Sequence, residues 1–178
     1  GLACRNVLSE QFQLNALIKW PNDLYLAGKK VAGILCEHLG NPNQPNTENK
    51  VIIGVGLNVN SRIKQFDPEV QPLVTTLYEH TGHTRELTSL LDDLLRAILL
   101  CVERLATEQD VLLEEWQRFD LLKDQPVTYT NPNGTIEGVG LGINQDGMYL
   151  VRDEMNQEHT IVGGQLRPSH RQGYNKAC

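Results

Sequence analysis

The sequence predicts an α+β protein, in which a partial mixed β-sheet with helices is followed by a small β-barrel. Three observations support this fold class. Short apolar strands separated by turn residues fill residues 17–58, two patterns of helical period fill residues 88–118, and short strands recur after residue 122 at roughly ten-residue spacing. Evenly spaced short strands of this kind favour a small barrel or sandwich.

Composition limits the class of function. The chain has 178 residues, is 40% hydrophobic and 21% charged, and carries a formal net charge of −6. This balance is typical of a globular protein, and the negative charge argues against a nucleic-acid partner. No run of apolar residues is long enough to span a membrane, and no signal peptide is recognisable. The four cysteines lie far apart without a C-x-x-C pair, so we expect reduced thiols, no metal site and a cytoplasmic location.

The first unit is predicted to begin with the end of a helix. Residues 1–9 have an amphipathic pattern, and the first residue is Gly1 rather than Met. We therefore expect the chain to begin in the middle of a domain. Residues 17–20 follow as a strand that enters a hairpin.

The hairpin at residues 19–35 holds the first candidate site. Pro fixes its own φ, and Asn and Asp bond their own backbone, so Lys19-Trp20-Pro21-Asn22-Asp23 predicts a tight turn. A short strand and the turn Ala27-Gly28 then bring the chain back through Lys30. Gly33 lies inside the returning strand, where a missing side chain usually means that a ligand or another backbone comes close.

Two lysines, an aspartate and a bare glycine are thus predicted to lie near each other. Such a group suits an anionic ligand such as a phosphate. The alternative interpretation is an ordinary β-hairpin whose lysines are solvated.

The remaining elements of the first unit are predicted from turn residues and apolar period. Residues 41–49 form an exposed loop, and residues 51–58 form an apolar strand that we expect to be buried on both faces. A helix over residues 88–106 begins at Thr88 or Ser89 as the cap, and a second helix covers residues 109–118. The predicted core face of the longer helix consists of Leu87, Leu91, Leu94, Ile98, Cys101 and Leu105.

The barrel is predicted from strands at residues 126–130, 135–143, 148–151 and 159–162. We place the boundaries at 1–121 for the first unit, 122–168 for the barrel, and 169–178 for a disordered tail.

Two blocks resemble the biotin protein ligase family, the enzymes that attach biotin to carboxylase carrier domains. The first is K-W-P-N-D followed by K-K-V-A-G-I-L, and the second is V-I-I-G-V-G-L-N-V-N. The resemblance implies a class II synthetase-like catalytic domain and an SH3-like C-terminal domain. It also implies a function: ATP with Mg²⁺ activates biotin to biotinyl-5′-AMP, and the biotin passes to a lysine of a biotin carboxyl carrier domain.

The resemblance also implies site residues. Lys30 matches the catalytic lysine of the family, and Asp23 matches a motif aspartate near the adenylate. The implied substrate-binding residues are Lys19, Gly33, Ile34, Leu35, Gly54, Gly56 and Asn58. The implied nucleotide-binding residues are Asn22, Lys30, Asn58 and Arg167.

The sequence departs from the family in one respect. Nothing in it resembles the G-R-G-x-x-G-R phosphate loop of the family. We therefore expect the C-terminal portion of a ligase that is not active alone, and a homodimer is left open. Two alternatives remain: a non-catalytic module that binds carrier proteins, and a relative of the lipoate ligases, although the K-W-P-N-D block argues against the second.

Overall fold

A computed structural model describes residues 1–39, 50–132 and 134–169. The predicted loop at 41–49 and the tail beyond Ser169 lie outside the described residues. The helices are α1 (Leu2–Phe12), α2 (Leu77–Thr81), α3 (Leu87–Leu105) and α4 (Gln109–Arg118). The strands are β1 (Leu17–Lys19), β2 (Asp23–Leu26), β3 (Lys29–His38), β4 (Val51–Leu57), β5 (Pro126–Asn131), β6 (Gly134–Ile143), β7 (Tyr149–Asp153), β8 (Glu158–Ile161) and β9 (Gln165–Pro168). None of the described helices is both long enough and apolar enough to cross a membrane.

The first sheet has four strands in the order β1-β2-β3-β4. The α+β class is confirmed, and each neighbouring pair in this sheet is antiparallel rather than mixed. The β2–β3 turn is tight because Ala27 and Gly28 both adopt positive φ angles, of 46° and 75°. Just after the turn, β3 carries a bulge: Tyr25 pairs with Lys30 and Leu24 pairs with Ala32, which leaves Val31 without an opposite residue.

Helices cover one face of this sheet. Leu8 of α1 packs with Ile18, Leu24 and Val31 of the strands, and each of these side chains is at most 1% exposed. Full burial of an aliphatic side chain contributes about 1.5–3 kcal/mol relative to exposure, so these four side chains together stabilise the first unit.

Helix α3 presents a narrower core face than predicted. Leu90 and Leu94 are buried, whereas Leu87, Leu91 and Leu105 are each about half exposed. The helix is apolar on more than one side, so the period alone does not select the buried stripe. The predicted caps are also wrong, because the carboxylate of Glu86 accepts hydrogen bonds from the backbone N–H groups of Thr88 and Ser89.

Strand β4 was predicted to be buried on both faces, but the structure shows that it is not. Val51 and Ile52 are about half exposed, and Ile53 is 39% exposed. In the part of the chain that the structure describes, β4 pairs only with β3 and forms the edge of the sheet. Its apolar side chains therefore form an exposed apolar surface at this edge of the sheet.

The second sheet has five antiparallel strands in the order β8-β7-β6-β5-β9. No pairing joins β8 to β9 within the described ranges, so the sheet is open along that seam. Gly138 and Gly140 are present because backbone approaches closely: a Cβ on either would lie 2.3 Å from the carbonyl oxygen of Arg152 or Leu122, respectively. The core of this sheet includes Val127, Tyr149 and Val151.

Contacts near Trp20 fix the second sheet to the entrance of the hairpin. Trp20 packs in the second core, its indole Nε1 donates to the carbonyl of Gly147 at 3.0 Å, and its ring centroid lies 5.8 Å from that of Tyr149. The Tyr149 hydroxyl in turn donates to Asp120 Oδ2 at 2.7 Å. Two cores are thus evident, and the boundary between residues 121 and 122 stays a prediction.

Candidate active site on the open face of the first sheet

The open face of the first sheet carries one continuous row of predicted site residues. The register places Lys19 opposite Asp23, Asp23 opposite Gly33, and Gly33 opposite Gly56. Directly opposed residues point to the same face of a sheet. The four strands therefore bring residues far apart in sequence into one line, on the face that the helices do not cover.

The bulge in β3 adds Lys30 to this face. Lys30 and Gly33 are three positions apart, and strict alternation would place them on opposite faces. Val31 and Ala32 are both buried in the core instead, so the extra residue re-aims Lys30 toward the open face.

Lys30 and Asp23 form the central ion pair of the site. Lys30 Nζ lies 2.5 Å from Asp23 Oδ1, and the two side chains are 40% and 16% exposed. The Lys30 backbone is also held: its N–H donates to Leu73 O at 2.9 Å, and its carbonyl accepts from Thr75 N at 2.8 Å. The segment that contains Leu73 and Thr75 therefore forms a wall beside the ion pair.

A cleft of about 710 Å³ opens above this ion pair. The first sheet provides Lys19, Asp23 and Lys30, and β9 of the second sheet provides Arg167 from the opposite side. Three cationic side chains and one carboxylate thus line the cleft. The site has an excess of positive charge within a chain of net charge −6, and such a cleft concentrates anionic ligands.

Burial and neighbouring charges perturb two side chains in the cleft. Burial lowers the pKa of Lys19. The positive charges of Lys30 and Arg167 lower it further, whereas the negative charge of Asp23 raises it. Burial and the charge of Asp23 raise the pKa of the Tyr25 phenol, while Arg167 opposes them. Tyr25 lines the cleft but was not predicted from the sequence, although its position two residues after Asp23 in a short strand gives it the same facing.

Beside this row, Leu35, Gly54 and Gly56 form an apolar surface, which we call the floor. Its two glycines leave the backbone open to a ligand. Gly54 pairs with Leu35, and Gly56 pairs with Gly33. A Cβ at Gly54 or Gly56 would meet only a backbone carbonyl oxygen, at 3.8 Å. Leu35 is 57% exposed on the same face. A flat apolar ligand can therefore approach the strands closely here.

Three other predicted residues occupy different surroundings. The Ile34 side chain lies on the helix-covered face and is 7% exposed, so the expectation that it contacts a ligand is corrected by the alternation of β3. Asn58 Nδ2 donates to Thr75 O at 3.0 Å, which ties the end of β4 to the wall. Asn22 lines the cleft, and its carbonyl accepts from Ile34 N at 2.7 Å.

A second cavity lies on the helix-covered side and differs in chemistry. It has a volume of about 270 Å³ and is lined mainly by apolar side chains, with Cys4, Cys36, Cys101 and Trp116 among them. No charged side chain lines it within the described ranges, so it does not suit an anionic ligand. Nor do any three His, Cys, Asp or Glu side chains cluster as a metal site among the described residues.

Comparisons with known proteins identify similar sequences and similar folds. The family model for the biotin/lipoate A/B protein ligase family matches residues 2–58, which contain β1 to β4. The bifunctional ligase/repressor BirA of Bacillus spizizenii is 30% identical over 144 residues, which cover 77% of this chain and 42% of that protein. The chain thus spans less than half the length of this relative.

Solved structures match over more of the chain. The apo structure of biotin protein ligase from Aquifex aeolicus has a TM-score of 0.81 and 28% identity, covering 95% of this chain and 72% of that chain. The Aquifex aeolicus enzyme in complex with biotin and ATP gives a TM-score of 0.80 at the same identity. The match extends across both sheets, and the two sequence blocks that resemble the family lie within β1 to β4 and the residues that adjoin them. This chain therefore belongs to the biotin protein ligase family.

Proposed function

We propose that this chain supplies part of the active site of a biotin–protein ligase. The reaction would activate biotin with ATP, supplied as its Mg²⁺ complex, and transfer biotin from biotinyl-5′-AMP to a lysine of a biotin carboxyl carrier domain. The observation that carries the proposal is the Lys30–Asp23 ion pair. It lies between a cation-lined cleft and an open apolar floor, which suit the nucleotide and the biotin ring respectively.

Lys30 is assigned the main electrostatic role. When the biotin carboxylate attacks the α-phosphate, negative charge builds up on the phosphoryl oxygens. A fixed cation beside them lowers the barrier, because it is already oriented when the charge develops. Lys30 meets this requirement, since its backbone is held on both sides and its ammonium is held by Asp23.

The other residues are assigned by position. Arg167 and Lys19 face the cleft from opposite sides and would bind phosphate oxygens, with Asn22 at the rim. Leu35, Gly54 and Gly56 would form the floor under biotin. The structure of a relative with biotin and ATP supports this pair of ligands.

We further propose that the 178-residue chain does not biotinylate a carrier domain alone. The sequence holds no G-R-G-x-x-G-R loop to bind the phosphates from the other side. The apolar surface of β4 and the outer leucines of α3 are exposed, as expected for surfaces that another polypeptide segment covers. Correct positioning of the reactants can supply roughly 7–11 kcal/mol of a barrier, so a site that lacks one wall loses most of its rate.

Transfer of labelled biotin to a carrier domain tests both statements. The chain is assayed with ATP and Mg²⁺, alone and with the unmatched N-terminal part of a ligase relative added in trans. We expect no transfer by the chain alone and measurable transfer by the pair. Transfer by the chain alone would contradict the second proposal, and failure of the pair to bind biotin in a calorimetric titration would contradict the first. Lipoate is the control ligand in that titration.

A further inference from the structure

Gly33 lies directly beneath the Lys30–Asp23 ion pair. A Cβ built on Gly33 would lie 3.3 Å from Lys30 Nζ, 3.4 Å from Lys30 Cε and 3.5 Å from Asp23 Oδ1. The other two glycines of the floor differ, because a Cβ on Gly54 or Gly56 would meet only a carbonyl oxygen at 3.8 Å. The space left by the missing side chain of Gly33 is therefore filled by the charged pair.

We propose that Gly33 is a positioning residue. Because it has no side chain, it leaves a space above its Cα, which we call the seat, and in this space the Lys30 ammonium contacts the Asp23 carboxylate. The bulge directs Lys30 to the open face, and the register places Asp23 opposite Gly33. Neither feature would bring the two charged groups together if a side chain stood between them. That Lys30 is catalytic rests on the proposed function, whereas the seat itself rests on the contacts of these three residues.

The seat has a consequence for ligand binding. Asp23 holds the Lys30 ammonium in one place when no anionic ligand is present. The pair is partly exposed, so its net free energy is small and a phosphate oxygen can take the ammonium from the carboxylate at little cost. Gly33 thus allows the Lys30 ammonium to be held, before ligand binds, where the Asp23 carboxylate and a phosphate oxygen compete for it.

Substitutions at Gly33 should have graded effects. A methyl group in Gly33→Ala meets the flexible end of Lys30 at 3.3 Å, and the ammonium can move by a few tenths of an ångström. The branched side chain of Gly33→Val occupies the seat and separates the pair. Because the contacts are side-chain ends and not backbone, we expect the strand itself to survive both changes.

The test uses the reactivity of Lys30 toward a neutral acylating reagent, acetic anhydride, in the 178-residue chain. Acetic anhydride acylates an amine nitrogen whose lone pair is free and releases acetate, so a Lys30 nitrogen held as an ammonium against Asp23 reacts more slowly than one released from this contact. Tandem mass spectrometry separates modification of Lys30 from that of the adjacent, exposed Lys29, which serves as the internal reference. The variants are Asp23→Asn, Gly33→Ala and Gly33→Val, and Gly54→Val is the matched control on the same floor. Circular dichroism checks that each variant is folded.

We expect Asp23→Asn and Gly33→Val each to raise the rate of Lys30 modification about two- to five-fold relative to Lys29, the range for a partly exposed ion pair. Gly33→Ala should give a smaller increase, and Gly54→Val none. The double variant Asp23→Asn/Gly33→Val should react no faster than either single variant, since both remove the same interaction.

Two results would overturn the proposal: a Lys30 rate in Gly33→Val equal to that of the parent chain, or single effects that multiply in the double variant. If Gly33→Val does not fold, the same comparison is made with Gly33→Ala. The reagent requires neither biotin nor ATP. A failure of the chain to bind these ligands would therefore contradict the proposed function and leave this result unchanged.

Discussion

Lys30 and Lys29 are adjacent in sequence but have different surroundings, and this difference makes a direct test at the scale of single residues. In an assembly that forms the adenylate, Lys30→Ala should cost about 3 kcal/mol of transition-state stabilisation, as expected when one electrostatic stabiliser is removed. Lys29→Ala should have little effect, because Lys29 is exposed and lies outside the cleft. Pyrophosphate release with excess biotin measures both rates. Equal rates in the two variants would exclude the assigned role of Lys30.

Lys19 predicts a pH dependence of stability. Its pKa in the folded chain is lowered by burial, so the unfolded chain binds its proton more strongly. The resulting loss in the free energy of unfolding is fully present at neutral pH. It disappears as the pH rises from the lowered pKa of Lys19 toward the ordinary pKa of a lysine. Lys19→Met should therefore stabilise the chain at pH 7, and the gain should shrink at higher pH. Urea unfolding at about pH 7 and pH 9.5 measures this, with Lys29→Met as control.

The sequence predicted much of the site at this scale, because the residues of one motif occupy one hairpin. Asp23, Gly33 and Lys30 were predicted together and lie together. Ile34 was also assigned to substrate binding, yet its side chain lies on the helix-covered face, because a family match gives positions in the sequence and not the face of a strand. Tyr25 was missed because a tyrosine in a short strand carries no chemical signal until its neighbours in space are known.

At the scale of elements, β6 and β7 approach too closely to accept a side chain. A Cβ on Gly138 would lie 2.3 Å from the Arg152 carbonyl oxygen, which is backbone and cannot move aside. Gly138→Ala should therefore destabilise the chain by about 1–3 kcal/mol, the usual cost of overpacking. Gly163→Ala is the matched control, because a Cβ there meets no atom within 4 Å. Urea unfolding compares them, and an equal effect of the two changes would contradict the close approach.

Helix and strand positions were largely predictable, but two features of the elements were not. Helix α4 begins and ends at the predicted residues, since its period has a clear start and stop. The bulge at Val31 was not predicted, because it depends on the pairing of β2 with β3 rather than on local sequence. The buried face of α3 was predicted only in part. Leu94, Ile98 and Cys101 pack on the core as predicted, whereas Leu90 was missed, because leucines occupy several sides of the helix and only the packing partner selects among them.

At the scale of the whole molecule, a partly buried hydrogen bond ties the second core to the segment that follows α4. The Tyr149 hydroxyl donates to Asp120, whose other carboxylate oxygen accepts from Leu122 N at 2.9 Å. Tyr149→Phe leaves a partly buried carboxylate with one donor fewer, which should cost about 1–3 kcal/mol at neutral pH. Tyr129→Phe is the matched control, because its hydroxyl donates to the neutral carbonyl of Gly163.

The same variant has a predicted pH dependence. Burial raises the pKa of Asp120, and the Tyr149 hydrogen bond partly offsets this rise. A raised carboxyl pKa gives stability at low pH that is lost as the pH rises through the folded value. Without the tyrosine the folded pKa rises further, so Tyr149→Phe should destabilise more at pH 7 than at pH 4. Urea unfolding at both values measures the difference, and a loss independent of pH would indicate packing alone.

The joining of the two cores could not be read from the sequence. Trp20 belongs to the K-W-P-N-D block, yet its side chain packs in the second core. This arrangement brings Arg167 of β9 to the cleft, and that proximity depends on contacts between segments more than a hundred residues apart. The family resemblance suggested Arg167 as a site residue, but only the three-dimensional arrangement explains why Arg167 lies beside the hairpin.

The central claim is that ligand binds on the open face of the first sheet. The most direct measurement is a nuclear magnetic resonance titration of the ¹⁵N-labelled chain with biotinyl-5′-AMP. The account predicts that the largest amide shifts fall on Asp23, Lys30, Gly33 and Gly56, with Arg167 from the second sheet. Shifts confined to the apolar cavity on the helix-covered side, around Cys101 and Trp116, would contradict it.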